Sequence, residues 1–578
     1  MRFIHLQDLQ SALSLLVLGL LIGLPARSSA AGILAQGTAG DEAEADDPNR
    51  VPLSRVRKYE SWVEAYRMGR VLLVKSGVLD ESAVRNFREL FEAIAEGKDL
   101  VAAKRLWRAA TIEIDQKIVD KHAVLAAQVG RVRHYAIELI AGIEDAAIDG
   151  WLMKMGLRRG AKADLERTIA LDVLSRRNTE GLDEVLLRNI RKFAIPERIT
   201  AVFALERVGG DSSIPVLMKM LKEREPNLRI AVIQSLGGIL SKYSDETREE
   251  NLRGDSLGRK WTKKVVDSLL SVLRSERIWQ VRMTICDAFV QLKNRLSVPA
   301  LIKGFSMEVG RGKQSNPILE AAFHDGLVMM TNKDLPEGAP HLWEDFWKKE
   351  GRDFRYVARR TKGAKKYTMA KKMSLGYVKY FNMSIRSKRL IFIVDFSGSM
   401  AEKVSLADGY GRGKHEMKYL LVQRELEKVI RALPSDTICN VVFFNNEVSV
   451  WRPGDKGRPK LIKMTDDNKS SLLQYIWNTA PSGSTNVHGS LMTALGMADR
   501  GIYDKYYKTA FDTIYFLSDG GPTAGETTDT DEILRAVRKI NKLRRVRINA
   551  IAFGDEKNNT TFLRRLAEDN GGRFLHLK

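Results

Sequence analysis

The sequence predicts a multidomain protein: an all-α helical solenoid followed by an α/β doubly wound, Rossmann-like domain. Three observations predict it. The chain's 578 residues exceed what one hydrophobic core organises. Between about Val51 and Trp347, apolar residues recur at three- and four-residue spacing with few strand-like runs. After Leu390, short Ile/Val/Phe-rich runs alternate with helical patterns, as in a parallel sheet covered by helices on both faces.

Taken in order, residues 1–30 read as an export signal. Arg2 precedes the apolar run Ala12–Leu24, whose 13 residues fall short of the roughly 20 that span a bilayer. Pro25 breaks the run, and Ser28-Ser29-Ala30 offers a small-x-small cleavage site. Periplasmic, cell-surface and secreted destinations all fit, and an uncleaved N-terminal anchor is the alternative. Residues 31–50, with Asp41, Glu42, Glu44, Asp46 and Asp47, lack apolar periodicity and read as an acidic flexible linker.

Residues 51–347 form the helical region, and a recurring unit is clearest over 198–305. Arg198, Ala201, Ala204, Leu205 and Val208 return as Arg229, Val232, Ser235, Leu236 and Ile239, then as Arg282, Ile285, Ala288, Phe289 and Leu292. Ile214-Pro215 and Val298-Pro299 open second helices, where a first-turn proline loses no hydrogen bond. The unit resembles HEAT-type repeats, whose paired helices stack into a solenoid that serves as a scaffold. Copies begin 31 and 53 residues apart, so polar Ser241–Lys260 reads as a loop insertion in the second.

The formal net charge of +22 calls for an acidic partner or surface. Its densest source is the basic connector, residues 348–387. Over 351–390, thirteen Lys and Arg face Asp353 alone, a balance of +12. Arg359, Arg360, Lys362, Lys365, Lys366, Lys371 and Lys372 are its candidate polyanion-binding residues, for an anionic envelope surface or polysaccharide. Cys286 and Cys439, distant in sequence and set in apolar stretches, read as small buried hydrophobes, and two such thiols build no zinc site.

Residues 388–578 carry the chemistry. The strand Leu390–Val394 delivers Asp395-Phe-Ser397-Gly-Ser399 to its carboxyl end, placing three hard oxygen donors on one turn. Thr485 and Asp519 lie in later loops, where doubly wound sheets form their crevices. Helices are expected over about 415–433, 468–477, 530–543 and 561–568, and strands over 437–444, 513–517, 548–553 and 573–577. Asp408-Gly-Tyr-Gly-Arg-Gly-Lys414 lacks the first glycine and closing Ser/Thr of a phosphate loop, and reads instead as a rim loop.

Asp-x-Ser-x-Ser followed by a threonine and an aspartate in separate loops resembles a von Willebrand factor type A (VWA) domain with a metal-ion-dependent adhesion site. The resemblance implies that Asp395, Ser397, Ser399, Thr485 and Asp519 hold Mg²⁺, with Mn²⁺ or Ca²⁺ as substitutes. It also implies that an acidic residue of a protein partner completes the coordination. The lead-in Tyr380-Phe-Asn-Met-Ser-Ile-Arg-Ser-Lys-Arg-Leu390 and Trp343-Glu-Asp-Phe-Trp347 resemble segments of secreted bacterial proteins that join HEAT-type repeats to a VWA domain.

The functional expectation is a non-enzymatic, metal-dependent adhesion or protein-interaction protein outside the cytoplasm. One alternative is a basic RNA-binding protein similar to the Ro autoantigen, against which the export signal weighs. The other is an adaptor subunit of a larger machine. No Ser/His/Asp or paired-carboxylate set emerges, and His488 alone beside Thr485 makes no acid–base machinery. Oligomeric state and the ligand's identity are not written in these residues.

Overall fold

A computed structural model describes residues 51–67, 81–113, 123–157, 163–245, 257–356, 378–404, 416–453, 460–496, 511–554 and 557–577. The export signal and acidic linker (1–50), the rim loop Asp408–Lys414, and Arg359 through Lys372 of the basic connector lie outside the described residues.

Among the described residues, those from Leu53 to Glu350 form a helical region with one continuous core. Its elements include α1 (Leu53–Arg67), α2 (Glu81–Ala95), α3 (Leu100–Ala110), α4 (Ala123–Gly142), α5 (Ala147–Leu157), α6 (Ala163–Arg176), α7 (Leu182–Asn189) and α8 (Ile195–Val208). They continue as α9 (Ser213–Met220), α10 (Pro226–Ser244), α11 (Leu257–Ser275), α12 (Trp279–Gln291), α13 (Ser297–Val309), α14 (Pro317–Thr331) and α15 (Pro340–Glu350). No described helix is long and apolar enough to cross a membrane.

Helices α4, α6, α8, α10, α12 and α14 pack successively, each on the next, as one row. The three recurring segments fall on α8, α10 and α12, and their apolar members Ala201, Leu205, Val232, Leu236, Ile285 and Phe289 are buried. The recurring arginine now has a physical role. Arg198 pairs with Glu223 at 3.4 Å, Arg229 with Glu276 at 2.8 Å, and Arg282 with Glu308. Each time a guanidinium of the row meets a carboxylate near the end of the next helix, with Arg282 buried and Arg198 and Arg229 half-buried. The expected loop over 241–260 is shorter than its polarity implied: α10 extends to Ser244 and α11 begins at Leu257. Ser244 holds that helix end inward by donating to the Leu292 carbonyl at 2.9 Å.

The C-terminal region is α/β. Its sheet has the order β11-β10-β9-β3-β6-β7, with β8 also on β6: β3 (Arg389–Asp395), β6 (Ile438–Phe444), β7 (Val448–Val450), β8 (Ile462–Lys463), β9 (Thr513–Ser518), β10 (Arg547–Phe553) and β11 (Phe574–Leu577). β3, β6, β9, β10 and β11 run parallel, while β7 and β8 are antiparallel to β6. Along β3, Leu390, Phe392 and Val394 enter one core and Ile391 and Ile393 the other, so the strand is apolar on both faces. Helices α16 (Lys418–Ala432) and α17 (Asp466–Trp477) cover the first face. Helices α18 (Val487–Leu495), α19 (Thr530–Arg544) and α20 (Lys557–Asp569) cover the second.

Two further strands, β1 (Lys379–Tyr380) and β2 (Met383–Ser384), form a hairpin on the first face. Tyr380 and Phe381, inside the segment read as connector, are fully buried there. A last pair, β4 (Lys403–Val404) and β5 (Glu416–Met417), is antiparallel and delays the helix expected from about 415 until Lys418. From β3 the chain passes to β6 on one side, then crosses back to β9 on the other. The switch point therefore lies between β3 and β9, and the carboxyl ends of those strands are where a crevice must open.

Candidate metal centre

Asp395 ends β3 and is fully buried, with both carboxylate oxygens engaged. The Ser397 N–H donates to Oδ1 at 2.9 Å and the Ser518 hydroxyl to Oδ2 at 2.6 Å. Burial pushes its carboxyl up to about 6, opposed by those serine hydrogen bonds and assisted by the Asp519 charge. With its oxygens so occupied, Asp395 orients the turn and would reach an ion through water. Past Phe396 the chain makes a single 3₁₀ turn, in which the N–H groups of Met400 and Glu402 donate to the carbonyls of Ser397 and Ser399 at 3.1 and 3.0 Å. Buried Met400 anchors the turn in the core below.

Backbone hydrogen bonds hold the second loop to the first. Ser482 N–H donates to the Phe396 carbonyl at 2.8 Å, and Gly398 N–H to the Gly483 carbonyl at 2.9 Å. Gly483 has φ +68°, and a Cβ there would lie 2.2 Å from Asn446 Oδ1, so this approach requires glycine. The third loop joins through Thr485. Its N–H donates to Thr523 Oγ1 at 2.9 Å, and its carbonyl accepts from Thr523 and Ala524 N–H at 3.0 and 3.2 Å. Asn486, capping α18, accepts from Gly489 N–H at 2.8 Å.

The hydroxyls converge on Asp519, which follows β9. Ser399 Oγ donates to Asp519 Oδ1 at 2.9 Å, and the Ser397 and Ser399 oxygens are 3.1 Å apart. Adjacent corners of an octahedron with 2.0–2.1 Å bonds, the Mg²⁺ geometry, are about 3 Å apart. The two separations that meet at Ser399 Oγ therefore match that between neighbouring ligands of one small hard cation. Among the described residues, no group of three or more His, Cys, Asp or Glu could hold a metal, so a donor set here would draw on hydroxyls, carbonyls or water as well. The loop containing Thr485, itself 4% exposed, is tied to both the others.

One residue of the candidate site escaped the sequence. Lys418, the first residue of α16, places Nζ 2.8 Å from Asp519 Oδ2, 2.8 Å from Glu402 Oε2 and 3.5 Å from the Ser399 carbonyl. Burial alone would lower its pKa, but the pairs with Asp519 and Glu402 prevail and hold it above the ordinary lysine value. A lysine opening a helix faces the positive end of the helix dipole, so this placement rests on the two carboxylates. Nothing in the local pattern marks it, because its partners lie 16 and 101 residues away.

His488 lies on α18 with Nδ1 3.6 Å from Glu526 Oε2. Burial, reinforced by the Arg131 charge, pushes it down to about 4 and leaves a neutral imidazole in the packing. Cys286 and Cys439 are both buried free thiols, and burial pushes Cys439 up to about 12.

A von Willebrand factor type A domain model matches residues 411–575. Mouse inter alpha-trypsin inhibitor heavy chain 4 is 27% identical over 192 residues, 33% of this chain and 18% of that protein. Human inter-alpha-trypsin inhibitor heavy chain H6 is 28% identical over 188 residues, 32% of this chain and 13% of its own length. The chain thus spans less than a fifth of these curated relatives. A solved von Willebrand factor type A structure from Catenulispora acidiphila is 16% identical, covering 34% of this chain and 40% of that one, with a TM-score of 0.26. Matched segment, parallel sheet and flanking helices agree: the chain carries a von Willebrand factor type A domain at residues 411–575, preceded by a helical N-terminal region.

Proposed function

We propose that this chain is a non-enzymatic interaction protein that grips an acidic side chain of a protein partner through a divalent cation at the crevice between β3 and β9. The observation that carries the reading is the oxygen triangle of Ser397, Ser399 and Asp519, with edges of 3.1 and 2.9 Å on two of its sides. Ser397, Ser399, Thr485 and Asp519 would hold Mg²⁺ directly or through water, and Asp395 would orient the turn. The bound ion would supply a positive centre with an exchangeable position for a carboxylate. Mn²⁺ and Ca²⁺ also accept all-oxygen sites, so either could replace it. The relatives carry inter-alpha-trypsin inhibitor names, and protein–protein recognition is the role this similarity favours here. Location outside the cytoplasm rests on the signal-like residues 1–30, and the HEAT-like helices would serve as the scaffold.

Calorimetric titration of the full chain with Mg²⁺ and Mn²⁺ tests the metal step. One ion per chain is expected, with binding weakened at least about tenfold in Ser399→Ala and Asp519→Asn. Absence of binding in the wild type, or unchanged binding in both variants, would sink it. For the grip itself, partner capture from the envelope of the source cell should be lost in EDTA and in Asp395→Ala. Capture indifferent to both would refute a metal-bridged contact.

A further inference from the structure

Helix α19 of the C-terminal domain faces the row α4–α6–α8–α10–α12, and a cavity of about 1070 Å³ lies between them. Most cations in its wall are neutralised. Asp172 is shared by Arg176 and Arg207 at 3.2 and 3.0 Å, Asp569 takes Arg538 at 3.5 Å, Glu206 takes Lys542 at 3.8 Å, and Asp287 takes Arg545. Arg535 and Lys539 of α19 differ: among the described residues, no ion pair or hydrogen bond engages either. Both side chains are solvent-accessible although they line the cleft, as charges in an open concavity are. Burial lowers the pKa of Lys539; the Asp172 charge opposes this, and those of Arg133 and Arg176 lower it further. Lys539 thus sits in a cationic cluster whose acid is already committed, and an entering anion would relieve that repulsion.

A second, smaller cavity of about 250 Å³ adjoins the first. His134, Glu138, Arg535 and Lys539 line both. Beyond those shared residues its exposed wall is mostly apolar, from Phe87, Tyr135, Met492 and Ile540, with the Arg131–Glu532 pair beside it. Arg535 and Lys539, which make no ion pair among the described residues, therefore stand beside Glu138 at the junction of an open basic cleft and an apolar pocket. That is the arrangement of a site with a few fixed polar groups and a hydrophobic lining.

We propose that this junction binds a small amphipathic anion, its charged head held by Arg535 and Lys539 and its apolar body lodged against Phe87, Tyr135, Met492 and Ile540. The site is separate from the metal crevice and does not depend on it. Phosphate and carboxylate heads share the chemistry required, and paired probes distinguish them.

The test is calorimetric titration of the full chain with octyl phosphate and with octanoate, kept below micelle-forming concentrations. Inorganic phosphate and octanol serve as head-only and tail-only probes. One equivalent of at least one amphiphile should bind, about tenfold or more tighter than either fragment. Arg535→Ala/Lys539→Ala should weaken it about tenfold or more, while Lys539→Arg retains binding and circular dichroism confirms the fold. Lys365→Ala/Lys366→Ala, in the basic connector, and Asp395→Ala, at the metal crevice, should both bind as wild type. Four results would each overturn the proposal: no binding by either amphiphile at millimolar concentration, fragments binding as tightly as the amphiphile, an unaffected double variant, or loss in the connector variant instead.

Discussion

At the scale of single residues, the candidate metal centre is a problem of buried charge. Asp395 and Asp519 carry two carboxylates into a crevice where neither is more than 6% exposed, and Lys418 is the cation that stands against them. Replacing Lys418 by Met leaves Asp519 without its 2.8 Å partner, and breaking a buried pair on one side costs about 3 kcal/mol. In EDTA, Lys418→Met should therefore unfold at a lower temperature than wild type. Mg²⁺ should restore it, because a divalent ion then meets no tethered competitor, and its affinity should rise by about tenfold. Equal Mg²⁺ affinities in the two proteins would show that Lys418 does not compete for Asp519. His488 makes a second residue-level case. The unfolded imidazole takes a proton near pH 6.5 and the folded one only at about 4, so the stability it contributes is complete above 6.5 and lost as pH falls towards 4. Between pH 7 and 5 that loss is roughly 2 kcal/mol. Asp395 and Asp512, both pushed up to about 6 by burial, act oppositely, losing stability as pH rises through 6, so only a difference isolates the histidine. His488→Gln should lower stability less steeply than wild type over that interval in urea titrations, and parallel slopes would refute the assignment.

At the scale of elements, legibility followed length and periodicity. β3, β6, β9 and β10 are runs of six or seven residues, nearly all buried, and their apolar content alone announces them. α19 and α20 are visible through their amphipathic spacing, and both begin where expected or a few residues earlier. The two- and three-residue strands β1, β2, β4, β5, β7 and β8 carry no period that could reveal them, being defined only by a partner across the sheet. Asp395, Ser397 and Ser399 stand out as candidates because a strand end followed by hydroxyls has chemical meaning locally, whereas Thr485 and Asp519 join them only through their place in later loops and the resemblance to a VWA motif. Lys418 was not legible, since its role exists only after three loops meet. Those loops depend on how closely their backbones approach, and Gly483 is one of the tight points. Gly483→Ala combines a positive φ with a Cβ 2.2 Å from Asn446 Oδ1, so it should cost about 1–3 kcal/mol and loosen the Gly398–Gly483 hydrogen bond. A wild-type melting temperature with unaltered Mg²⁺ binding in this variant would show that the loop accommodates the methyl group.

At the scale of the whole molecule, the helical region and the VWA domain are joined by charge rather than by a shared apolar core. Their hydrophobic clusters are separate apart from Leu543, while guanidinium groups cross between them. Arg131 donates to the Glu526 carbonyl at 2.7 Å and pairs with Glu532 at 3.1 Å, gripping the segment between the Asp519 loop and α19. At the opposite ends of the strands, Asp325 of α14 gathers Arg573 at 2.7 Å, Arg386 at 3.0 Å and Arg547 at 3.8 Å. Burial would raise the Asp325 carboxyl, but the His324 contact and these three arginines outweigh it and hold the group well below the usual carboxylate range. The sign follows: its stabilisation is fully present above the unfolded value near pH 4 and drains away as pH falls below that. Asp325→Asn keeps the shape but removes the charge facing three guanidinium groups, and should cost about 3 kcal/mol of docking stability at pH 7. Because the two regions have their own cores, the loss should appear as uncoupling. Wild type should unfold in one calorimetric transition at neutral pH, and Asp325→Asn in two, with added salt widening their separation. If the variant still melts in a single transition at the wild-type temperature, Asp325 is not what joins the domains, and Arg131 with Glu526 and Glu532 carries the junction together with the Glu206–Lys542 and Asp287–Arg545 pairs.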